Sequence, residues 1–332
     1  MKIITPLRRE QLEQVGPVLA RSPHKPYSAL RLPPAVPVDA LWLREVADAL
    51  DADAGAVFAA RVGSEVAGLA VCASQDWESR VLERKVAVLK HLVVPADDPH
   101  GPETLELLIR QVLAWAKACG VELLSCKAYT DDLTAINALE RHGFLLRDTM
   151  LDYVYDPHRD PFDTVPRPEP FPGCTIRLAT ADDRGEVLRV SENAFGGHFG
   201  RFHSDPRLPR DVSTRVYREW LRSSCDGYAD YLVVAEVAGR VVGYSVWKKP
   251  CSREEQFGLR LGRYSIGAVH HDFAGRGLFE ALTHAGMARL REAVDRISGP
   301  THVNNYPVQR GYTKLRWRIA NAYHTLHRWL TN

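Results

Sequence analysis

Apolar and polar residues alternate twice in the same way along this chain. Residues 59–71 (AARVGSEVAGLAV) and 234–246 (VAEVAGRVVGYSV) align without a gap at an offset of 175 positions. Each reads as strand, tight turn and strand, with a turn glycine (Gly63 or Gly239) and a break in the returning run at Gly68 or Gly243. Further on, residues 134–144 (TAINALERHGF) and 307–317 (PVQRGYTKLRW) align at an offset of 173. Both predict a short helix running into an aromatic-led strand. Two near-equal offsets argue for two copies of one fold of about 150 residues.

The second copy reads further. A strand over 175–178 leads through Ala181, Asp182 and Asp183 into a helix, and another helix covers 212–221. After the hairpin, a strand over 264–269 enters a glycine loop and a helix reaching Val294. A strand near His302, a short helix over 308–315 and a strand over 323–329 complete it. Mixed strands and helices with one strand–loop–helix crossover give an α/β (α+β) class.

Prolines set the expected boundary. Six of the 21 fall within residues 156–173, a stretch that cannot hold a helix interior or a central strand. The reading is therefore a first domain over 1–155, a linker over 156–173 and a second domain over 174–332. A second proline-rich stretch, 23–37, reads as a loop between helices.

Composition narrows the class. With 332 residues, 45 % hydrophobic and 25 % charged, each half can bury its own core, and disordered or fibrous readings are excluded. The net charge of +2 gives no reason to expect nucleic acid or a membrane surface as partner. None of the six cysteines forms a CxxC pair and no Cys/His spacing matches a zinc site, so no metal is expected. The amino terminus lacks the apolar core of a signal peptide, and no run approaches the ~18 apolar residues of a spanning helix. A reduced, cytoplasmic protein is expected.

Chemistry concentrates in two segments of the second copy. In residues 266–279 an apolar strand ends, Gly275 and Gly277 flank Arg276, and a helix begins at Leu278. Backbone N–H groups converging on a helix N-terminus suit a diphosphate, though a plain glycine turn meets the same description. There is no GK[ST] and no GxGxxG. In residues 299–312, Asn305 ends a strand and can cap the next helix. Tyr312, two helical turns on, falls on the same side, where a phenol can protonate a thiolate or simply pack in the core.

Together these segments resemble the GNAT superfamily of CoA-dependent N-acyltransferases, over residues 174–329. The resemblance implies two tandem domains, each a mixed, mostly antiparallel sheet flanked by helices. It implies that Gly275, Arg276, Gly277, Leu278 and Phe279 bind the pyrophosphate of acetyl-CoA or another acyl-CoA. It further implies that the pantetheine strand ends at Val269, that Asn305 steadies the CoA arm, and that Tyr312 is the general acid. Ala274 and Phe279 depart from the family's loop: Gln or Arg is usual at the first and Gly or Ala at the second, so Phe279 should set a bulky ring beside the phosphates. The chain is similar, more narrowly, to the TDP-fucosamine acetyltransferase group, through residues 192–211 and 299–310. Residues 76–92 resemble an aromatic-rich strand of that group. Phe202, His203 and Asp205 are then expected to hold the acceptor.

The first copy lacks the loop. Asp97, Asp98 and Glu103 crowd the start of its helix, where they would repel a diphosphate. At the offset of 173, Leu139 replaces the tyrosine and Asp132 the asparagine. It reads as a scaffold. After Asp295 no acidic residue follows, while Arg296, Arg310, Lys314, Arg316, Arg318 and Arg328 are basic, which suits an anionic ligand. His270 and His302 are candidate bases, though a structural or surface role is the favoured reading of each.

These readings favour N-acyl, foremost N-acetyl, transfer to a primary amine on a nucleotide-linked amino sugar. A peptide, aminoglycoside or other natural-product amine is the alternative acceptor, and a non-catalytic acyl-CoA-binding protein the alternative class. A homodimer stays open.

Overall fold

The computed structural model describes residues 2–331. In chain order, the first half holds β1 (Ile3–Pro6), α1 (Gly16–Ala20), α2 (Val38–Asp51), β2 (Gly55–Val62), β3 (Glu65–Ser74) and α3 (Asp76–Leu82). It continues with β4 (Val86–Val93), α4 (Gly101–Ala118), β5 (Leu123–Tyr129), α5 (Leu133–Arg141) and β6 (Leu145–Tyr155). Then come β7 (Cys174–Leu178), α6 (Arg184–Phe195), α7 (Arg210–Ser223), β8 (Tyr231–Val237), β9 (Arg240–Lys248) and α8 (Ser252–Glu255). The last are β10 (Leu261–Val269), α9 (Leu278–Leu290), β11 (Arg296–His302), α10 (Tyr306–Lys314) and β12 (Arg318–Trp329).

The chain forms two compact units, one of Met1–Thr149 with Tyr323–Asn332, the other of Met150–Ala322. In the first, β1 to β4 pair antiparallel in sequence order, β5 lies parallel to β4, and Tyr323–Trp329 of β12 closes the sheet antiparallel to β5. The second unit repeats this with β7 to β10, the parallel partner β11, and residues 150–155 of β6 closing the sheet. The strand that completes each sheet comes from the other repeat of the sequence.

This division differs from the boundaries expected at 155 and 173. Proline reports local stiffness, whereas a unit is defined by what packs together. Residues 156–173 belong to the second unit: Val165 is buried in its core, and the Phe162 ring lies 4.8 Å from His284 of α9. Residues 76–82, expected as part of a strand, are helix α3, and α9 ends at Leu290 rather than Val294.

Strand alternation sorts the cores. Phe58, Ala60, Ala70 and Cys72 pack with α4 and α5, while Val57, Ala59, Leu69 and Val71 pack with α1 and α2. In the second unit, Val233, Ala235 and Trp247 join α9, and Val234, Val246 and Ile266 join α6 and α7. Trp247 presses against α9 where Gly286 has no side chain to oppose it.

Both units carry the same two irregularities. Ala67 in β3 and Val242 in β9 are extra residues at an offset of 175. Lys90 in β4 and Ser265 in β10 are extra at the same offset. Shared bulges show a common backbone plan beneath weak sequence similarity.

Candidate active site

The site is built where β10 and β11 stop pairing. They are parallel partners only over Leu261–Arg263 and Arg296–Ser298. Past that point the β10 edge toward β11 has no strand partner among the described residues, so alternate backbone groups on it can meet a ligand. The amide of His270 donates to Val242 O at 2.8 Å, on the β9 side. By alternation, Val269 and Gly267 turn their N–H groups to the open side.

The Ser265 bulge decides which side chains accompany them. With one residue inserted, facing reverses, so Tyr264 falls on the α9 face together with Gly267 and Val269 while Ile266 goes to the opposite core. Sequence reasoning missed Tyr264, because nothing in the residue pattern marks the bulge.

Beyond β10 the chain turns through His270 and enters α9. Gly275 (φ 75°) and Gly277 (φ 76°) are both left-handed, a conformation that costs glycine nothing. A side chain at either would meet no atom within 4 Å, so the loop faces open space. The first rung of α9 is Ala281 N to Gly277 O, leaving the N–H groups of Gly277, Leu278, Phe279 and Glu280 ahead of the helical ladder. With the helix dipole they form an anion-binding end.

A cavity of about 390 Å³ joins these features. Tyr244 and Ser245 of β9, Tyr264 and residues 267–269 of β10, the loop around Gly275 and Gly277, and Pro307, Val308, Arg310 and Lys314 of α10 line it. Expected loop residues Gly275, Gly277, Leu278 and Phe279 are all among the lining, as is Val269. Arg276 differs: its guanidinium lies over the rings of Phe171 and Phe273, at 5.3 and 5.4 Å. Phe279 also departs from expectation. Its ring occupies the space where Gly311 of α10 lacks a Cβ, and it meets Tyr312 edge-on at 5.4 Å. The ring is thus stowed against α10 by a large-for-small exchange rather than set against the phosphate position.

Of the basic residues after Asp295, Arg310 and Lys314 reach the cavity, Lys314 also pairing with Glu280 at 3.0 Å. Arg296 and Arg318 instead bind Asp156 (2.9 Å) and Asp160 (3.1 Å).

Tyr312 lies beneath the cavity and is fully buried, stacked on Trp317 at 4.7 Å and tilted against Tyr153 at 4.9 Å. Its Oη is buried and has no hydrogen-bond partner among the described residues. A methyl at Gly299 would sit 2.6 Å from that oxygen and 3.2 Å from Tyr264 Cβ, so the hydroxyl lies at the foot of the gap between β10 and β11. Burial, with Tyr264 and Tyr153 alongside, holds its pKa well above the usual phenol value and keeps the proton in place. Asn305 is the N-cap residue of α10, but its side chain makes no capping bond. The cap is made in the first copy, where Asp132 accepts from Ala135 N at 3.0 Å.

Neither candidate base lines the cavity. His302 Nδ1 accepts the Asn304 amide at 3.0 Å, so the neutral ring carries its proton on Nε2 and its free lone pair is already used. His270 Nδ1 is turned into its own loop, 3.4 Å from Asp272 N. The acceptor loop also differs from expectation. Phe202 and Asp205 are 5 % and 1 % exposed, and Asp205 accepts from Arg207 N at 3.0 Å, so both serve the loop's own packing. His203 is half-buried, with Nε2 3.2 Å from Thr214 Oγ1. It clusters with His198, whose pKa is brought down to about 4 by burial and by the charges of His203 and His302.

The first unit's equivalent is much smaller. Its cavity between β4 and β5 is about 60 Å³. At the start of α4 the Asp98 carboxylate accepts from His100 N (2.9 Å) and pairs with Lys2 (3.0 Å), standing where an external anion would bind.

No protein-family model matches the chain. The fold is that of the GCN5-related N-acetyltransferases, the GNAT fold, in tandem. A GCN5-related N-acetyltransferase from Sphaerobacter thermophilus matches with a TM-score of 0.64 at 16 % identity, over 100 % of this chain and 96 % of that one. A tandem GNAT protein from the clavulanic acid biosynthesis pathway matches with a TM-score of 0.60 at 16 % identity, over 100 % and 99 %. In sequence, the chain is similar to the spore coat polysaccharide biosynthesis protein SpsD of Bacillus subtilis, 23 % identical over 273 residues, covering 80 % of this chain and 85 % of that protein. A mycothiol acetyltransferase of Saccharomonospora viridis is 27 % identical over 161 residues, covering 47 % and 50 %. No helix among the described residues is long and apolar enough to cross a membrane.

Proposed function

We propose that the second unit is a CoA-dependent N-acyltransferase that acetylates a primary amine on a nucleotide-linked amino sugar. The observation that carries the reading is the cavity itself. It runs from an open, two-glycine loop at the N-terminus of α9 to an unpaired edge of β10, and the Tyr312 phenol, unpartnered among the described residues, is buried beneath its lining. This donor set fits acyl-CoA: N–H groups and Arg310 and Lys314 for phosphates, strand amides for pantetheine, a phenol for sulfur. The acceptor class rests on the similarity to SpsD, a polysaccharide biosynthesis protein, over 80 % of the chain.

An uncharged amine attacks the thioester carbonyl carbon, forming the C–N bond as the C–S bond breaks. The Val269 N–H stabilises the oxygen that gains charge. Tyr312 gives its phenolic proton to the departing sulfur and is reprotonated by the proton the amine sheds through solvent. The first unit serves as a scaffold, its anion position filled by Asp98.

The test is acetyl-CoA with a panel of amines, following thiol release and product mass. A nucleotide-linked amino sugar gaining one acetyl group is expected. Acetylation confined to peptides or aminoglycosides overturns the acceptor, and no thiol release together with no binding of CoA overturns the enzyme.

A further inference from the structure

We propose that Tyr264 closes the acyl end of the cavity and restricts the acyl donor to a two-carbon thioester, a proposal that rests on the acyltransferase reading above. The argument begins with direction. The phosphate-binding loop follows the C-terminal end of β10, so a pantetheine arm along the open edge passes Val269 and then Gly267 toward the start of the strand. The next residue on that face is Tyr264, because the Ser265 bulge removes the intervening position from it.

The Tyr264 side chain folds back along the strand, its hydroxyl filling the place where Gly267 lacks a Cβ. Only glycine at 267 permits this, so the pair is matched. The ring is braced by its neighbours. It meets Trp247 edge-on at 5.1 Å, Tyr312 at 6.0 Å and Phe279 at 6.2 Å. Trp247 and Tyr312 are themselves fully buried, and Trp317 stacks on Tyr312 at 4.7 Å. Such a wall cannot recede for a longer chain without displacing several packed rings. The Tyr312 hydroxyl and Tyr264 Cβ converge on Gly299, at 2.6 and 3.2 Å from a Cβ there. The wall therefore stops the acyl group where the proton donor stands.

Calorimetric titration of the full chain with free CoA, acetyl-CoA, butyryl-CoA and hexanoyl-CoA tests this without knowledge of the acceptor. The wild type is expected to bind acetyl-CoA at least about tenfold more tightly than hexanoyl-CoA. Tyr264→Ala should reduce that ratio to below about threefold, while Tyr264→Phe, which keeps the ring, should preserve it. Should Tyr264→Ala lose its near-ultraviolet circular dichroism, Tyr264→Leu provides the same comparison with less volume removed. Equal affinity of the wild type for acetyl-CoA and hexanoyl-CoA, or an unchanged ratio in a folded Ala or Leu variant, overturns the proposal. If neither free CoA nor any thioester binds, the acyltransferase reading itself fails, a result distinct from binding without chain-length selection.

Discussion

Replacing Tyr312 with Phe removes one oxygen and keeps every ring contact. The stack on Trp317 at 4.7 Å and the contacts with Tyr153 and Phe279 at 4.9 and 5.4 Å depend on the ring alone. The oxygen is buried without a partner, so its removal breaks no hydrogen bond within the described residues. A buried, unsatisfied polar group costs about 1–3 kcal/mol, and relieving it should leave stability unchanged or raised. In a chain with units of this size, that corresponds to a rise in Tm of up to several degrees, about 2–4 °C per kcal/mol. Turnover should move the other way. Loss of a positioned proton donor lowers the rate about 10²–10⁴-fold, or roughly 3–5 kcal/mol of barrier. Affinity for acetyl-CoA, which the proposed function assigns to loop and strand amides, should stay within about twofold. The assays are thiol release for kcat, calorimetric titration for Kd and scanning calorimetry for Tm. A kcat within about threefold of wild type refutes the proton-donor role. A fall in Tm of many degrees refutes the claim that the hydroxyl has no structural partner.

Two further predictions concern packing and pH. Gly311→Ala places a methyl against the Phe279 ring, and should destabilise by about 1–3 kcal/mol in urea titration. Adding Phe279→Leu should return most of that loss, and additive single and double variants contradict the large-for-small match. Asp183 accepts from Arg177 (2.6 and 2.8 Å) and from the Thr180 amide (2.7 Å), and Arg177 in particular holds its pKa at about 2, below an ordinary 3.8. A depressed carboxylate stabilises fully above its ordinary pKa and loses the contribution as pH falls through the folded value. The stability gap between wild type and Asp183→Asn should therefore be about 1–2 kcal/mol at pH 6 and shrink between pH 4 and 2. A gap constant over that window contradicts the assignment.

The repeat, the glycine loop and Val269 were legible because each is local: a turn, a left-handed glycine, a strand end. What was not legible is non-local. The segment led by Phe144 and the segment over 323–329 both read as strands, and nothing in either says which sheet it completes. Tyr264 was hidden because Arg263, Tyr264, Ser265 and Ile266 alternate polar and apolar, which sets Tyr264 and Ile266 on one face, whereas the Ser265 bulge sends them to opposite cores. Phe279 looked like an obstacle beside phosphate until Gly311, 32 positions on, supplied the space for its ring. The spacing of Asn305 and Tyr312 located helix α10 correctly, yet it did not show that Asn305 leaves its cap unmade or that Tyr312 is sealed beneath the cavity. His302 was a reasonable base by residue type. Its Nδ1 bond to Asn304, a backbone detail, removes it.

The central claim is that one of two copies of the fold binds acyl-CoA, through the loop at Gly275 and Gly277. Calorimetric titration of the full chain with acetyl-CoA tests it through stoichiometry. The account predicts one site per chain in the wild type, and none of comparable affinity when Gly277→Ala forces a side chain into the left-handed region. Two equivalent sites per chain, no site at all, or binding undiminished by Gly277→Ala would contradict it.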